Sequence, residues 1–186
     1  MNDSVPREAA EVLSFWFGPG MEERWFKKDP DFDREVRERL QGHYERARSG
    51  DYDHWMDSAK GSLALCLLLD QVPRNLFRDD RRAFATDDRA RQVTICALDQ
   101  GFDRALSQAE RLFLYLPLEH SEDLDDQERC VELVATLDAK PDWLDYSVRH
   151  RDVIARFGRF PHRNRVMGRE TTEEEAAFLE EPGSAF

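Results

Sequence analysis

Leu63-Ala64-Leu65-Cys66-Leu67-Leu68-Leu69 runs without a polar break into Asp70-Gln71-Val72-Pro73-Arg74-Asn75-Leu76-Phe77-Arg78. A helix that is apolar on every side has to be enclosed by neighbours. The segment from about His54 to Asp70 is therefore read as the central helix of the fold. Pro73 lacks an N–H and restricts the residue before it, so the helix is expected to end or turn there. That leaves Asp70 at the negative end of a buried helix, where it needs a cation. Arg74 is the natural partner, with an arginine from residues 159–165 as a second candidate.

Outward from this core, helix signals punctuate the chain. Pro6 can open a helix carrying Ala9, Val12, Leu13, Trp16 and Phe17 at three- and four-residue spacing, and Gly18-Pro19-Gly20 stops it. Asp29-Pro30 supplies a cap and first residue for a charged helix to about Arg48, closed by Ser49-Gly50. Its thin stripe of Phe32, Val36, Leu40 and Tyr44 marks a peripheral helix. Thr86 is expected to cap a helix from Asp87 to Gln100, with Gly101 at its left-handed end. Ser107-Gln108-Ala109-Glu110 fits a capping box, and Pro117 is expected to stop the helix that follows. Ser121 can cap residues 123–137. A helix over residues 142–157 ends at Gly158, and Thr171-Thr172-Glu173-Glu174 starts a last helix through Leu179.

No alternating β-branched run of convincing length occurs. The fold class is all-α, with seven to nine helices in a bundle or helix-pair array. No repeat with a period of about 34 residues is visible. A length of 186 residues suits a single domain over 1–186, with short flexible ends at about 1–5 and 181–186.

A net charge of −12 argues against general nucleic-acid binding, which needs a broad basic face. Yet seven arginines stand between Arg149 and Arg169 against one acid, Asp152, a local balance of +6. These arginines either pair with carboxylates from elsewhere in the fold or await an anionic ligand. Cys66, Cys96 and Cys130 lack CxxC spacing and read as reduced, core-type thiols. The longest apolar run is too short to span a bilayer, and no leader pattern opens the chain, so the cytoplasm is the expected compartment.

Three polar clusters stand at expected helix ends. The first is Asp70-Gln71 with Arg74, Asn75 and Arg78, readable either as a clasp that fixes a helix exit or as part of a ligand site. In the second, Glu119-His120-Ser121-Glu122-Asp123, His120 has no capping role and could be a structural hydrogen-bonding histidine, an acid–base group or a ligand to a metal. The third combines His150 with Phe157-Gly158-Arg159-Phe160-Pro161-His162-Arg163-Asn164-Arg165. His150 shares a helix face with Ile154 and Phe157 and should point inward, while Arg159, His162, Arg163 and Asn164 offer donors from a stiff turn. No HxxxH, ExxH or cysteine-pair spacing occurs, so no metal and no cofactor are expected. No nucleophile elbow accompanies Ser121.

Together these strings resemble the bacterial domain of unknown function 924 family. The resemblance runs through Phe15-Trp16-Phe17, Trp25-Phe26, residues 69–78, Ala83-Phe84-Ala85 with Asp87, residues 115–123 with Gln127, His150, residues 157–164 and Gly168-Arg169. It implies an all-α fold similar to tetratricopeptide-like arrays and supplies no activity. Met167 and Glu170-Thr171 stand where Leu and Ser-Thr are expected.

The favoured expectation is a pocket for an anionic small molecule, binding or catalytic. His120 or His162 would act as acid–base and Glu119 would orient it. Asp70, Arg74, Asn75, His150, Arg159, Arg163 and Asn164 would hold the ligand. The alternative is a scaffold that offers a groove to a protein or peptide partner, its polar strings being structural. RNA binding by the arginine-rich segment is the weakest reading, and no membrane partner is expected. Nothing in the sequence fixes an oligomeric state.

Overall fold

Residues 5–138 and 141–184 are described by a computed structural model, and among them every regular element is helical. The expected flexibility of residues 1–4 and 185–186 concerns positions outside the described residues. Pro6 precedes α1 (Arg7–Trp16). Asp29 caps α2 (Pro30–Ser49) by accepting from the Asp31 and Phe32 N–H groups, and Gly50 ends it at φ 95°. Ser58 caps α3 (Ala59–Cys66), and α4 (Val72–Leu76) follows after a π-turn over Leu67–Gln71. Then come α5 (Asp87–Asp99), α6 (Gln108–Glu119), α7 (Leu124–Val134), α8 (Pro141–Phe157), α9 (Asn164–Met167) and α10 (Glu173–Leu179). No helix among the described residues is long and apolar enough to cross a membrane.

Two units emerge from the contacts within the chain: Met1–Arg78 with Arg82–Pro117, and Asp79–Arg81 with Leu118–Phe186. In the first, Leu63 through Leu69 are all fully buried, as an all-apolar helix requires. Each leucine so enclosed contributes about 1.5–3 kcal/mol. An aromatic cluster supports this core: Trp25 packs edge-on to Phe113 at 4.8 Å, and its indole N–H donates to the Trp16 carbonyl at 2.8 Å.

The central helix does not stop at Asp70. It widens into a π-turn in which the Val72 N–H reaches the Leu67 carbonyl five residues back, and then continues as α4. The widening absorbs Pro73, which has no N–H to give the Leu69 carbonyl. The Thr86 hydroxyl donates to that carbonyl instead, at 2.5 Å. Two expectations are corrected here by one cause. Thr86 makes no side-chain cap for α5 because its hydroxyl is spent on Leu69. Asp70 lies inside a continuing helix rather than at a negative terminus.

Pro117 likewise does not end its helix, which runs on to Glu119. The Thr94 hydroxyl donates to the Leu114 carbonyl at 2.8 Å, next to the Phe113 carbonyl that Pro117 has no N–H to serve. Ser107 and Glu110 do form the expected capping box.

In the second unit, α7 packs along α8. Val153, Ile154 and Phe160 make a small core, with Phe157 and Phe178 against it. Fully buried Gln127 donates to the carbonyls of Glu119 at 2.5 Å and Ser121 at 2.7 Å, so a side chain of α7 caps the end of α6. Asp123 is the N-cap of α7, in place of Ser121. The Ser121 hydroxyl donates to Asp126 and accepts from the Asp123 N–H. Gly158 and Gly168 close α8 and α9 at φ 70° and 67°. Thr172 and Glu175 form a full capping box for α10. The Ser184 hydroxyl donates to the Leu179 carbonyl, and Arg149 donates to the Gly183 carbonyl.

Candidate functional site

Asp70, Arg74 and Asn75 lie in the first unit, on the π-turn and α4. Arg74 forks onto Asp87 with two bonds of 2.9 Å, sits 3.2 Å from the Asp70 carboxylate and donates to the Asp70 carbonyl at 2.6 Å. Burial opposes the charge on Arg74, but Asp70 and Asp87 outweigh it and hold the guanidinium charged. The Gln71 amide donates to the other Asp70 oxygen at 2.8 Å. Asn75 donates to Asp33 at 2.8 Å, and Arg78 pairs with the same carboxylate. Each of these three residues has an internal role that ties α2, α4 and α5 together.

Glu119, His120, His150, Arg159, His162, Arg163 and Asn164 all belong to the second unit. Three of them, His150, His162 and Arg163, meet at one ring, that of Phe160, which is fully buried. The His150 ring meets Phe160 at 5.6 Å and His120 at 6.3 Å, and His162 lies 5.6 Å from Phe160 on a tilted plane. The Arg163 guanidinium carbon stands 4.4 Å above the Phe160 ring, and the whole residue is only 8% exposed. A guanidinium over an aromatic face is held flat and partly dehydrated, which sharpens its donor geometry.

Below this group sits a buried carboxylate. Glu119 accepts from the Ser147 hydroxyl, and its other oxygen is 3.6 Å from His150 Nδ1. His150 Nδ1 is also 2.8 Å from the Tyr146 carbonyl, which can only accept, so this nitrogen carries the ring's proton. Burial first, against the Tyr146 carbonyl, and then the positive neighbours His120, Arg163 and His162 pull the His150 pKa down to about 3. His150 is thus a neutral imidazole at ordinary pH. Ser147 donates to Glu119 and is fully buried, so its oxygen is closed off from a substrate. Burial, then the Glu119 charge, pushes the Cys130 thiol well above its usual range, which removes it as a thiolate.

The remaining arginines of the basic segment have identifiable partners. Arg159 forks onto Glu175 at 2.6 and 2.8 Å, and Glu175 also accepts from Asn164 at 3.1 Å. The Arg159 hydrogen bond leads, against burial, in lowering the Glu175 pKa to about 2, with the Thr172 N–H and Asn164 assisting. Arg169 forks onto Glu122 at 2.7 and 3.0 Å, and the same carboxylate accepts from the Phe160 N–H at 2.8 Å. Burial raises the Glu122 pKa, yet Arg169 and the Phe160 N–H outweigh it and leave it lowered. Arg156 meets Glu174 and Arg165 meets Asp79. The acids that neutralise the segment are thus largely Glu122, Glu174 and Glu175. Among the described residues no group of three or more His, Cys, Asp or Glu is set to hold a metal ion.

The family model for bacterial proteins of unknown function, DUF924, matches residues 12–183. The chain belongs to the DUF924 family. The solved structure of a protein of unknown function from Agrobacterium tumefaciens is 42% identical to this chain. It superposes with a TM-score of 0.88 over 92% of this chain and 96% of its own. No curated protein matches the sequence. Within this DUF924 chain, reasoning from sequence missed Ser147, Tyr146 and Phe160 as the residues that bury and orient the histidines. A signal existed for two of them: Ser147 and His150 stand three apart on one helix, and Phe160 is the aromatic centre of the basic turn.

Proposed function

We propose that this DUF924 protein binds a small oxyanion, a phosphate or carboxylate group, at the His120–His162–Arg163 cluster of the second unit. The observation that carries the reading is the ring of cationic or donor side chains around Phe160. His150, His162 and Arg163 lie against its ring and His120 stands beside His150, while Glu122 and Glu175 are engaged by Arg169 and Arg159. His120 and His162 are half-buried rather than sealed, so they are the groups able to exchange a proton with a ligand. His150 cannot serve as an acid at neutral pH. Its proposed task is to orient, with Glu119 and Ser147 fixing its ring from below. The proposed setting is the cytoplasm, in keeping with the buried, reduced thiols of Cys66 and Cys130.

A thermal-shift titration with inorganic phosphate and with small carboxylates tests the reading. The wild type should gain stability with ligand, and Arg163→Ala and His120→Ala should each lose that gain. Equal stabilisation of the wild type and both variants would remove the site. Recovery of a protein partner with no response to any anion would favour the scaffold.

A further inference from the structure

We infer that the ligand of the proposed anion site is a carboxylate, and that it takes a receptor which the chain's own Glu122 otherwise fills. This rests on the proposed anion site and adds the class of its ligand. The receptor is the Arg169 guanidinium together with the Phe160 N–H. Arg169 gives one N–H to each Glu122 oxygen, at 2.7 and 3.0 Å, the parallel pair that suits a planar carboxylate. The Phe160 N–H adds a third bond at 2.8 Å. The Phe160 carbonyl in turn accepts from Arg169 at 3.1 Å, which ties the donors to one another whichever carboxylate they meet.

Glu175 on Arg159 shows what a purely structural clasp looks like. It lies inside α10, its side chain is 4% exposed, and it also accepts from Asn164 and the Thr172 N–H. Glu122 instead lies in the short stretch between α6 and α7, and its side chain is 30% exposed. The backbone around it is fixed without it, by Gln127 on the Ser121 carbonyl and by Asp123 capping α7, so rotation of one side chain vacates the receptor. Arg169 Nε is buried without a hydrogen-bond partner while Glu122 is in place, so Glu122 leaves this arginine incompletely matched. The receptor also adjoins the histidine cluster, since Phe160 carries the ring against which His150, His162 and Arg163 lie. Burial raises the Glu122 pKa, and Arg169, the Phe160 N–H and then the Arg163 charge outweigh it. A ligand carboxylate exchanged for Glu122 enters that same positive field.

Glu122→Ala in the full chain empties the receptor, and sodium acetate is the probe, with sodium chloride at equal ionic strength as the blank. The variant should melt below the wild type in chloride and be restored saturably by acetate, with an acetate affinity about tenfold above that of the wild type by calorimetry. Glu174→Ala, which strips a carboxylate from Arg156 in the same unit, should show no such gain. An equal gain there, or acetate binding unchanged by Glu122→Ala, overturns the inference and leaves the anion site standing. A larger gain for inorganic phosphate than for acetate overturns the carboxylate assignment. Folding of Glu122→Ala only in acetate supports the inference. Failure of both Glu122→Ala and Glu122→Gln to fold in either salt overturns it, because Glu122 is then indispensable structure rather than a replaceable occupant. No response of the wild type to phosphate or acetate, together with no rescue of the variant, removes the anion site and this inference with it.

Discussion

The Thr86 hydroxyl donates to the Leu69 carbonyl at 2.5 Å, the carbonyl that Pro73 cannot serve. One hydroxyl thus lets a proline stand inside the most buried helix of the protein. Thr86→Val should lower unfolding stability by about 1–3 kcal/mol, the cost of a buried acceptor left unmatched. Thr86→Ser should cost less. In a Pro73→Ala background, where a backbone N–H returns, the Val penalty should shrink. Denaturant unfolding of the four chains measures this, and an unchanged penalty in that background would refute the linkage.

Gly61 lies in α3, where an added Cβ would stand 2.2 Å from the Trp55 carbonyl oxygen and 2.8 Å from Ser58 Oγ. Backbone cannot give way as a flexible side chain can. Gly61→Ala should therefore destabilise by about 1–3 kcal/mol, despite alanine's better helix propensity. A rise in melting temperature would contradict the packing described for the helix start.

The pKa of His150 falls from an ordinary 6.5 to about 3 on folding. Below pH 6.5 the unfolded chain takes up this proton while the folded one does not, so acid favours unfolding. Its contribution is complete above pH 6.5 and is lost as pH falls toward 3, with a slope approaching about 1.4 kcal/mol per pH unit. Glu175 acts in a lower window. With its folded value near 2 against an ordinary 4.5, its stabilisation is present above 4.5 and lost below it. Unfolding free energies between pH 7 and 5 should slope in the wild type and flatten in His150→Phe. Identical slopes would show that His150 is not buried neutral.

Glu175→Gln should lower the melting temperature by removing the charge that Arg159, Asn164 and the Thr172 N–H all meet. Raised salt should do little to mimic it, because the carboxylate is 3% exposed and poorly screened. A variant as stable as the wild type would mean that the α10 clasp contributes nothing to the fold.

Much of the architecture was legible in the sequence because capping chemistry is local. Asp29 with Pro30, Gly50, Gly101 and the Ser107–Glu110 box all act within a few residues, and each stands where its spacing implies, while the last helix is capped by Thr172 and Glu175 within the threonine and glutamate run that announces it. The misreadings share a cause. Pro73 and Pro117 look like stops because the missing N–H is local, whereas the hydroxyls of Thr86 and Thr94 that serve nearby carbonyls come from distant sequence. For the basic segment the sequence leaves two readings open, pairing with carboxylates or awaiting an anion, and the fold sets Glu122, Glu174 and Glu175 on Arg169, Arg156 and Arg159. His150 was expected to face inward from its spacing with Ile154 and Phe157, and it is 5% exposed. Its tautomer was not legible, since that depends on the ring turning its Nδ1 toward the Tyr146 carbonyl, with Glu119 on the same side.

The five histidines divide conveniently: His43 and His54 in the first unit, His120, His150 and His162 in the second. Following their ring proton and nitrogen resonances by NMR during a phosphate titration tests the anion site most directly. The account predicts saturable shifts for His120, His150 and His162, little change for His43 and His54, and loss of those shifts in Arg163→Ala. Resonances that stay fixed, or five that drift together with ionic strength, would contradict it.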